Sequence, residues 1–172
     1  MTGIPGTVLE RDGAAYRVAT DAGELRAVLT GRTKRDAPRV VVGDRVTLLP
    51  DAAGGLATIT DVAPRTSLLE RRVPLGRGTR PIAANIDTVF VVTSNRDPAP
   101  VPQLIDRLLV VAESNEIAAA VVVNKVDLDP GTWLEQRFRQ AGYPVFRTSA
   151  KTGEGLEALR AAMAGRESVV TG

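Results

Sequence analysis

The sequence predicts a small five-stranded β-barrel followed by a parallel α/β domain, and three observations lead to that reading. Residues 1–63 hold short runs of alternating polarity, rich in Val, Leu and Thr and broken by Gly- and Asp-containing turns. From residue 86 onward, buried-strand runs alternate with segments of helical period, the pattern of crossover helices on a parallel sheet. Between them, residues 64–85 lack a period and carry Pro64, Pro74, Gly76, Gly78 and Pro81, which predicts an extended basic linker.

The barrel strands are expected over residues 7–11 (TVLER), 16–20 (YRVAT), 24–30 (ELRAVLT), 45–49 (RVTLL) and 56–62 (LATITDV). Breaks fall at Asp12-Gly13, Gly23, Gly43-Asp44 and Gly54-Gly55. Asp12-Gly13 signals a tight hairpin, because a two-residue primed turn needs positive φ. An OB-like barrel and an SH3-like barrel both fit this spacing, and periodicity does not separate them.

In the second domain the expected order is strand 86–94, helix 102–114, strand 118–123, helix 132–140, strand 144–148, helix 156–164 and strand 168–171. Apolar residues at 104, 105, 108, 109 and 112 give the first helix its buried stripe, and Pro102 suits its first turn. In such sheets ligands bind beyond the carboxyl ends of the strands. Chemistry-bearing residues should therefore follow the strands directly.

Composition narrows that chemistry. The balance of 44% hydrophobic and 24% charged residues is that of an ordinary soluble globular chain. With aromatics at only 3%, the core must be built from Val, Leu, Ile and Ala. The absence of Cys and His removes disulfides, thiolate metal sites and the commonest general base. No run approaches the roughly 18 apolar residues of a membrane span, and the start lacks a signal-peptide pattern, so a cytoplasmic location with no membrane partner is expected.

Net charge is only +2, but arginines cluster. Arg65, Arg71, Arg72, Arg77 and Arg80 stand against Glu70 within residues 64–80, and Arg32, Lys34, Arg35 and Arg39 form a second group. Both read as phosphate-facing, RNA-binding candidates.

Two post-strand loops are loaded. After the run AAAVVV comes Asn124-Lys125-Val126-Asp127, and after PVFR comes Thr148-Ser149-Ala150-Lys151. A carboxylate at Asp127 can accept from guanine's imino N–H and exocyclic amine together, a donor pair that adenine lacks. Asn124 can serve the base's other polar edge, the stem of Lys125 can lie on the ring, and Ala150 leaves its N–H open to O6. Plain alternatives exist: Asp127 or Asp129 as cap of the helix at 132, and Ser149 as cap of the following helix. The step of 25 residues from Asn124 to Ser149 holds one helix and one strand, which makes adjacent parallel strands whose loops converge.

NKVD followed by SAK resembles the base-specificity motifs of the P-loop GTPase superfamily. In the ordinary order a phosphate loop G-x-x-x-x-G-K-[ST] comes first, and the first 123 residues contain none. Base motifs behind a β-barrel and ahead of the phosphate loop are similar to the circularly permuted, ribosome small-subunit-dependent GTPases of the RsgA/YjeQ family. The likeness runs through IAANIDTVFVV at 82–92, NKVDL, TSAKTGEGL at 148–156 and the strand SVVTG.

The resemblance implies a GTP hydrolase of late small-subunit maturation that binds ribosomal RNA, with the α/β half as a partial, permuted P-loop GTPase domain. It makes Asn124, Lys125, Asp127, Ser149, Ala150 and Lys151 the guanine contacts and Gly172 the first glycine of the phosphate loop. It further implies Mg²⁺ with the nucleotide, a zinc-binding domain in the family, GTP and GDP as ligands, and a monomer. The remaining phosphate-loop and Mg²⁺ segments would follow Gly172, so a shortened family protein is expected, with no catalytic residue in this chain and no hydrolysis by it alone. A non-catalytic RNA-binding module with a vestigial nucleotide domain is the alternative.

Overall fold

A computed structural model describes residues 3–31, 39–73 and 78–172. The chain divides into two compact units, Met1–Asn85 and Ile86–Gly172.

In the first unit, β1 (Ile4–Asp12), β2 (Ala15–Thr20), β3 (Gly23–Leu29), β4 (Arg45–Leu49) and β5 (Ala57–Val62) close into a barrel in the order β1-β2-β3-β5-β4. β3 and β5 pair in parallel, while β1 pairs antiparallel with both β2 and β4. This is the OB-like arrangement, which the strand spacing alone left open. Period-2 alternation fills the interior: Tyr16 and Val18, Val46 and Leu48, and Ala57 and Ile59 all point inward to Val8, Ala27 and Val40. The first hairpin turns one residue later than expected. Asp12 pairs with Ala15, so the loop is Gly13-Ala14, with Gly13 at φ 60°.

Residues 64–85 differ from the extended linker expected. β6 (Leu68–Arg72) and β7 (Thr79–Ala84) form an antiparallel hairpin. The hairpin is fastened to the barrel: Ala84 N–H donates to Val42 O at 2.9 Å, and Asn85 Nδ2 donates to Gly43 O at 2.8 Å. Arg65 closes the joint on the fully buried Asp44, with Nε to Oδ1 at 2.8 Å and a second nitrogen to Oδ2 at 2.9 Å. That fork against a carboxylate is the strongest geometry the two groups can make.

In the second unit, β8 (Thr88–Ser94), β9 (Ala118–Asn124), β10 (Val145–Arg147) and β11 (Ser168–Thr171) form a parallel sheet in the order β10-β9-β8-β11. Helices α1 (Pro102–Ser114), α2 (Thr132–Gln140) and α3 (Leu156–Met163) are the crossovers. Phe90, Ala120 and Val122 meet Leu159, Ala162 and Met163 of α3. The alternate residues Val91, Val121 and Val123 turn to the other face, where Val123 abuts Gly131 at the start of α2. No helix among the described residues is long and apolar enough to cross a membrane.

Candidate guanine-binding site

β9 and β10 are neighbours in parallel register, Val123 opposite Arg147, so the loops that follow them leave the same edge of the sheet. The loops are bonded to each other: Thr148 N–H donates to Val123 O at 2.9 Å, and Val126 N–H to Thr148 O at 3.2 Å. Lys125 takes a left-handed backbone conformation, φ 63°, which folds the chain sharply after β9.

Helix-end geometry tests the capping alternative for Asp127 and Ser149. The cap of α2 is Gly131, and that of α3 is Gly155, both left-handed and neither with a side-chain cap. Asp129, not Asp127, meets the start of α2, accepting from Gly131 N–H at 2.9 Å. Ser149 is fully buried and donates its Oγ proton to Asp127 Oδ1 at 2.6 Å, while Ser149 Oγ itself accepts from Thr152 N–H at 3.2 Å. Asp127 itself is exposed, with one oxygen braced by Ser149 and the residue lining the cavity described below. Such a carboxylate is oriented for an external pair of donors.

Asn124 is fixed from the other loop, its Oδ1 accepting from Ala150 N–H at 3.1 Å and Thr148 Oγ at 3.3 Å. This leaves the Asn124 amide group as the outward donor. It also changes the expectation for Ala150, whose N–H is engaged with Asn124 rather than open to a ligand. Gly155 allows the 148–154 loop to close, since a Cβ there would lie 1.9 Å from Arg147 O at φ 70°.

Asn124, Lys125, Asp127, Leu128, Ala150 and Lys151 line one cavity of about 300 Å³, a volume in the range of small-ligand sites. A second cavity of about 290 Å³ shares Asn124 and Lys125 and extends past Ser94 and Leu104 to Gly172. The six guanine candidates and Gly172 thus gather at one edge of the sheet. Two residues of this neighbourhood carried no sequence signal: Asn95 Nδ2 donates to Asp129 Oδ1, and Lys125 Nζ donates to Asp97 O, tying the loop after β8 to the NKVD loop. Only strand adjacency brings them together.

The basic candidates divide. Arg39, Arg71 and Arg80 line a cleft of the first unit, joined by Arg11, which sequence reasoning missed because it lies far away along the chain. Arg72 is exposed on β6. Arg65 is turned inward onto Asp44 and Arg39 O and is not available to an outside phosphate, its pKa raised by the bond to Asp44. Arg32, Lys34, Arg35 and Arg77 lie outside the described residues.

The family model of the RsgA GTPase matches residues 62–172, a span that contains both loops. The chain belongs to the RsgA GTPase family. It is 43% identical over 180 residues to the small ribosomal subunit biogenesis GTPase RsgA of Gemmatimonas aurantiaca, covering 99% of this chain and 59% of that protein. It therefore spans about three-fifths of the length of that curated relative. The crystal structure of YjeQ from Thermotoga maritima matches with a TM-score of 0.76 and 30% identity, over 99% of this chain and 60% of the other. The crystal structure of YloQ, a circularly permuted GTPase, matches with a TM-score of 0.68 and 22% identity, over 98% and 59%. The RsgA-family fold accounts for the order seen here, with the two polar loops after β9 and β10 and a glycine directly after β11.

Proposed function

We propose that this RsgA-family protein binds guanine nucleotides through the 124–127 and 149–151 loops and serves as a GTP-hydrolysing, RNA-contacting factor in maturation of the small ribosomal subunit. The observation that carries the reading is Asp127, released from helix capping and oriented by Ser149 at the mouth of a cavity shared with Asn124 and Lys151. A carboxylate held this way accepts two guanine donors and faces adenine's ring nitrogen with an unpaired charge, an arrangement that discriminates by as much as about 10⁴-fold. The relatives' name, small ribosomal subunit biogenesis GTPase, supports the biological setting.

Asn124 would donate to the base's ring nitrogen, and the stem of Lys125 would cover its face. Gly172 would open the phosphate loop: a Cβ at this position would fall 2.0 Å from Val92 O, so the chain passes the end of β8 at a distance only glycine permits. Mg²⁺ would accompany the nucleotide's phosphates and neutralise their charge. Cytoplasmic location and a monomeric state belong to the same proposal.

Asp127→Asn tests the assignment. The amide keeps an oxygen for Ser149 Oγ but turns an N–H₂ toward the base's own donors, so GDP affinity should fall by roughly 10²-fold or more. A xanthine nucleotide, which carries a carbonyl in place of the exocyclic amine, should gain correspondingly. Calorimetric titration of both nucleotides measures this, and an unchanged GDP affinity would overturn the base-contact assignment.

A further inference from the structure

The first unit carries two pairs of arginines directly opposite one another across strands, one on the barrel and one on the β6–β7 hairpin, and their surroundings differ. Arg17 faces Arg26 between β2 and β3. That pair is neutralised: Arg17 lies 3.0 Å from Glu10 and 3.3 Å from Glu24, and Arg26 lies 3.1 Å from Asp12. Arg71 faces Arg80 between β6 and β7. Among the described residues neither has an ion pair with a carboxylate, and neither does Arg11 or Arg39. Like charges placed directly opposite destabilise a sheet. All four uncompensated arginines line one cleft of about 520 Å³, together with Val42 and Ile82, each 41% exposed. Bare like charge, concavity and apolar surface coincide at the joint of barrel and hairpin.

We propose that this cleft seats a phosphodiester unit of single-stranded RNA, with Arg71, Arg80, Arg39 and Arg11 as its cationic grip. The proposal rests on the RNA-contact reading above and gives it a place. The anion supplies the charge that Glu10, Glu24 and Asp12 supply for Arg17 and Arg26. A recessed cleft admits an extended strand, whereas a duplex presents its phosphates on convex ridges. Val42 and Ile82 offer apolar contact to ribose and base, and guanidinium planes stack on any base, so binding tolerates sequence change.

The test is fluorescence anisotropy of the whole chain with a labelled oligouridylate of about ten nucleotides. Four phosphate contacts on a single strand give a log–log salt slope of roughly −3. Arg71→Gln with Arg80→Gln should weaken binding roughly 10-fold and flatten the slope by about one unit or more. Arg11→Gln should act in the same direction. Arg17→Gln with Arg26→Gln removes the same charge elsewhere on the barrel and should leave affinity within about 2-fold. A thermal midpoint for the Arg71/Arg80 variant at or above the parent's shows that lost binding is not lost folding, because the substitution relieves repulsion. Equal losses in the two double variants would overturn the cleft assignment in favour of diffuse attraction, while RNA contact itself would stand. No binding by the parent chain at low salt would remove the RNA reading along with the cleft, and GDP titration would still judge the guanine site. Competition by pyrophosphate far beyond its ionic strength would make the cleft a free-anion site and sink the RNA assignment.

Discussion

At the scale of single residues, the candidate site was legible because polarity changes abruptly where it matters. Asn124 and Asp127 end an apolar strand, and Ser149 and Lys151 end another, leaving the type of chemistry open to a reader of the sequence. Hidden from the sequence was how these side chains are used on each other. Ala150 N–H and Asn124 Oδ1 satisfy one another, and Ser149 Oγ bridges Asp127 and Thr152 N–H. Such pairings depend on the register of β9 against β10, and no spacing rule encodes them. On the proposed function they make Ser149 a positioning residue for Asp127. Ser149→Ala removes the brace from an exposed carboxylate and opens the 148–154 loop, so GDP binding should weaken roughly 10-fold, about the loss of one charge-assisted hydrogen bond. Restoring the hydroxyl with Ser149→Thr should recover part of the affinity. Equal affinities for the alanine variant and the parent in a GDP titration would show that Asp127 orients without help.

At the scale of elements, the helices and strands of the second unit lie almost where apolar period places them, whereas β6 and β7 were missed. Pro81 lacks an N–H and is rare inside strands, and it argued for a linker. The structure accommodates it at a register shift between Leu69 and Glu70, where β6 slips past β7 and the lost donor matters least. Elements of the second unit are also joined by a titratable contact. The Tyr143 hydroxyl donates to Glu113 at the end of α1. Partial burial, then the bond to Glu113 and the charges of Glu113 and Asp106, raise the phenol from its ordinary 10.0 to about 12. The folded state thus keeps the phenol neutral where the unfolded chain releases its proton. The contribution is full below about pH 10 and disappears as pH rises through 12. In chemical denaturation, the parent should lose stability between pH 10 and 12 relative to Tyr143→Phe, with a constant difference below pH 9. Parallel curves across that window would show that the hydroxyl is not held.

At the scale of the whole molecule, the two-part organisation was readable from the change of pattern near residue 86, but the edge of the first part was not. Composition marked residues 64–85 as a separate basic segment, because proline, glycine and arginine dominate it. The physical boundary is set instead by burial. Asp44 has no solvent contact and, among the described residues, is neutralised by Arg65 alone, while Val42 O and Gly43 O receive their donors from Ala84 and Asn85. Cutting the chain after residue 63 would leave a buried carboxylate without its cation and strip two backbone carbonyls of their partners, and removing one member of a buried pair costs about 3–5 kcal/mol. Small barrels of this size are only marginally stable, so that loss decides folding. A fragment of residues 1–85 should therefore unfold cooperatively on heating, and one of residues 1–63 should show no folded baseline by circular dichroism. Arg65→Gln in the longer fragment should lower the midpoint well beyond Arg72→Gln, since Arg72 is exposed on β6 and makes no ion pair among the described residues. Equal midpoints for the two variants, or a stable 1–63 barrel, would return the hairpin to the role of linker.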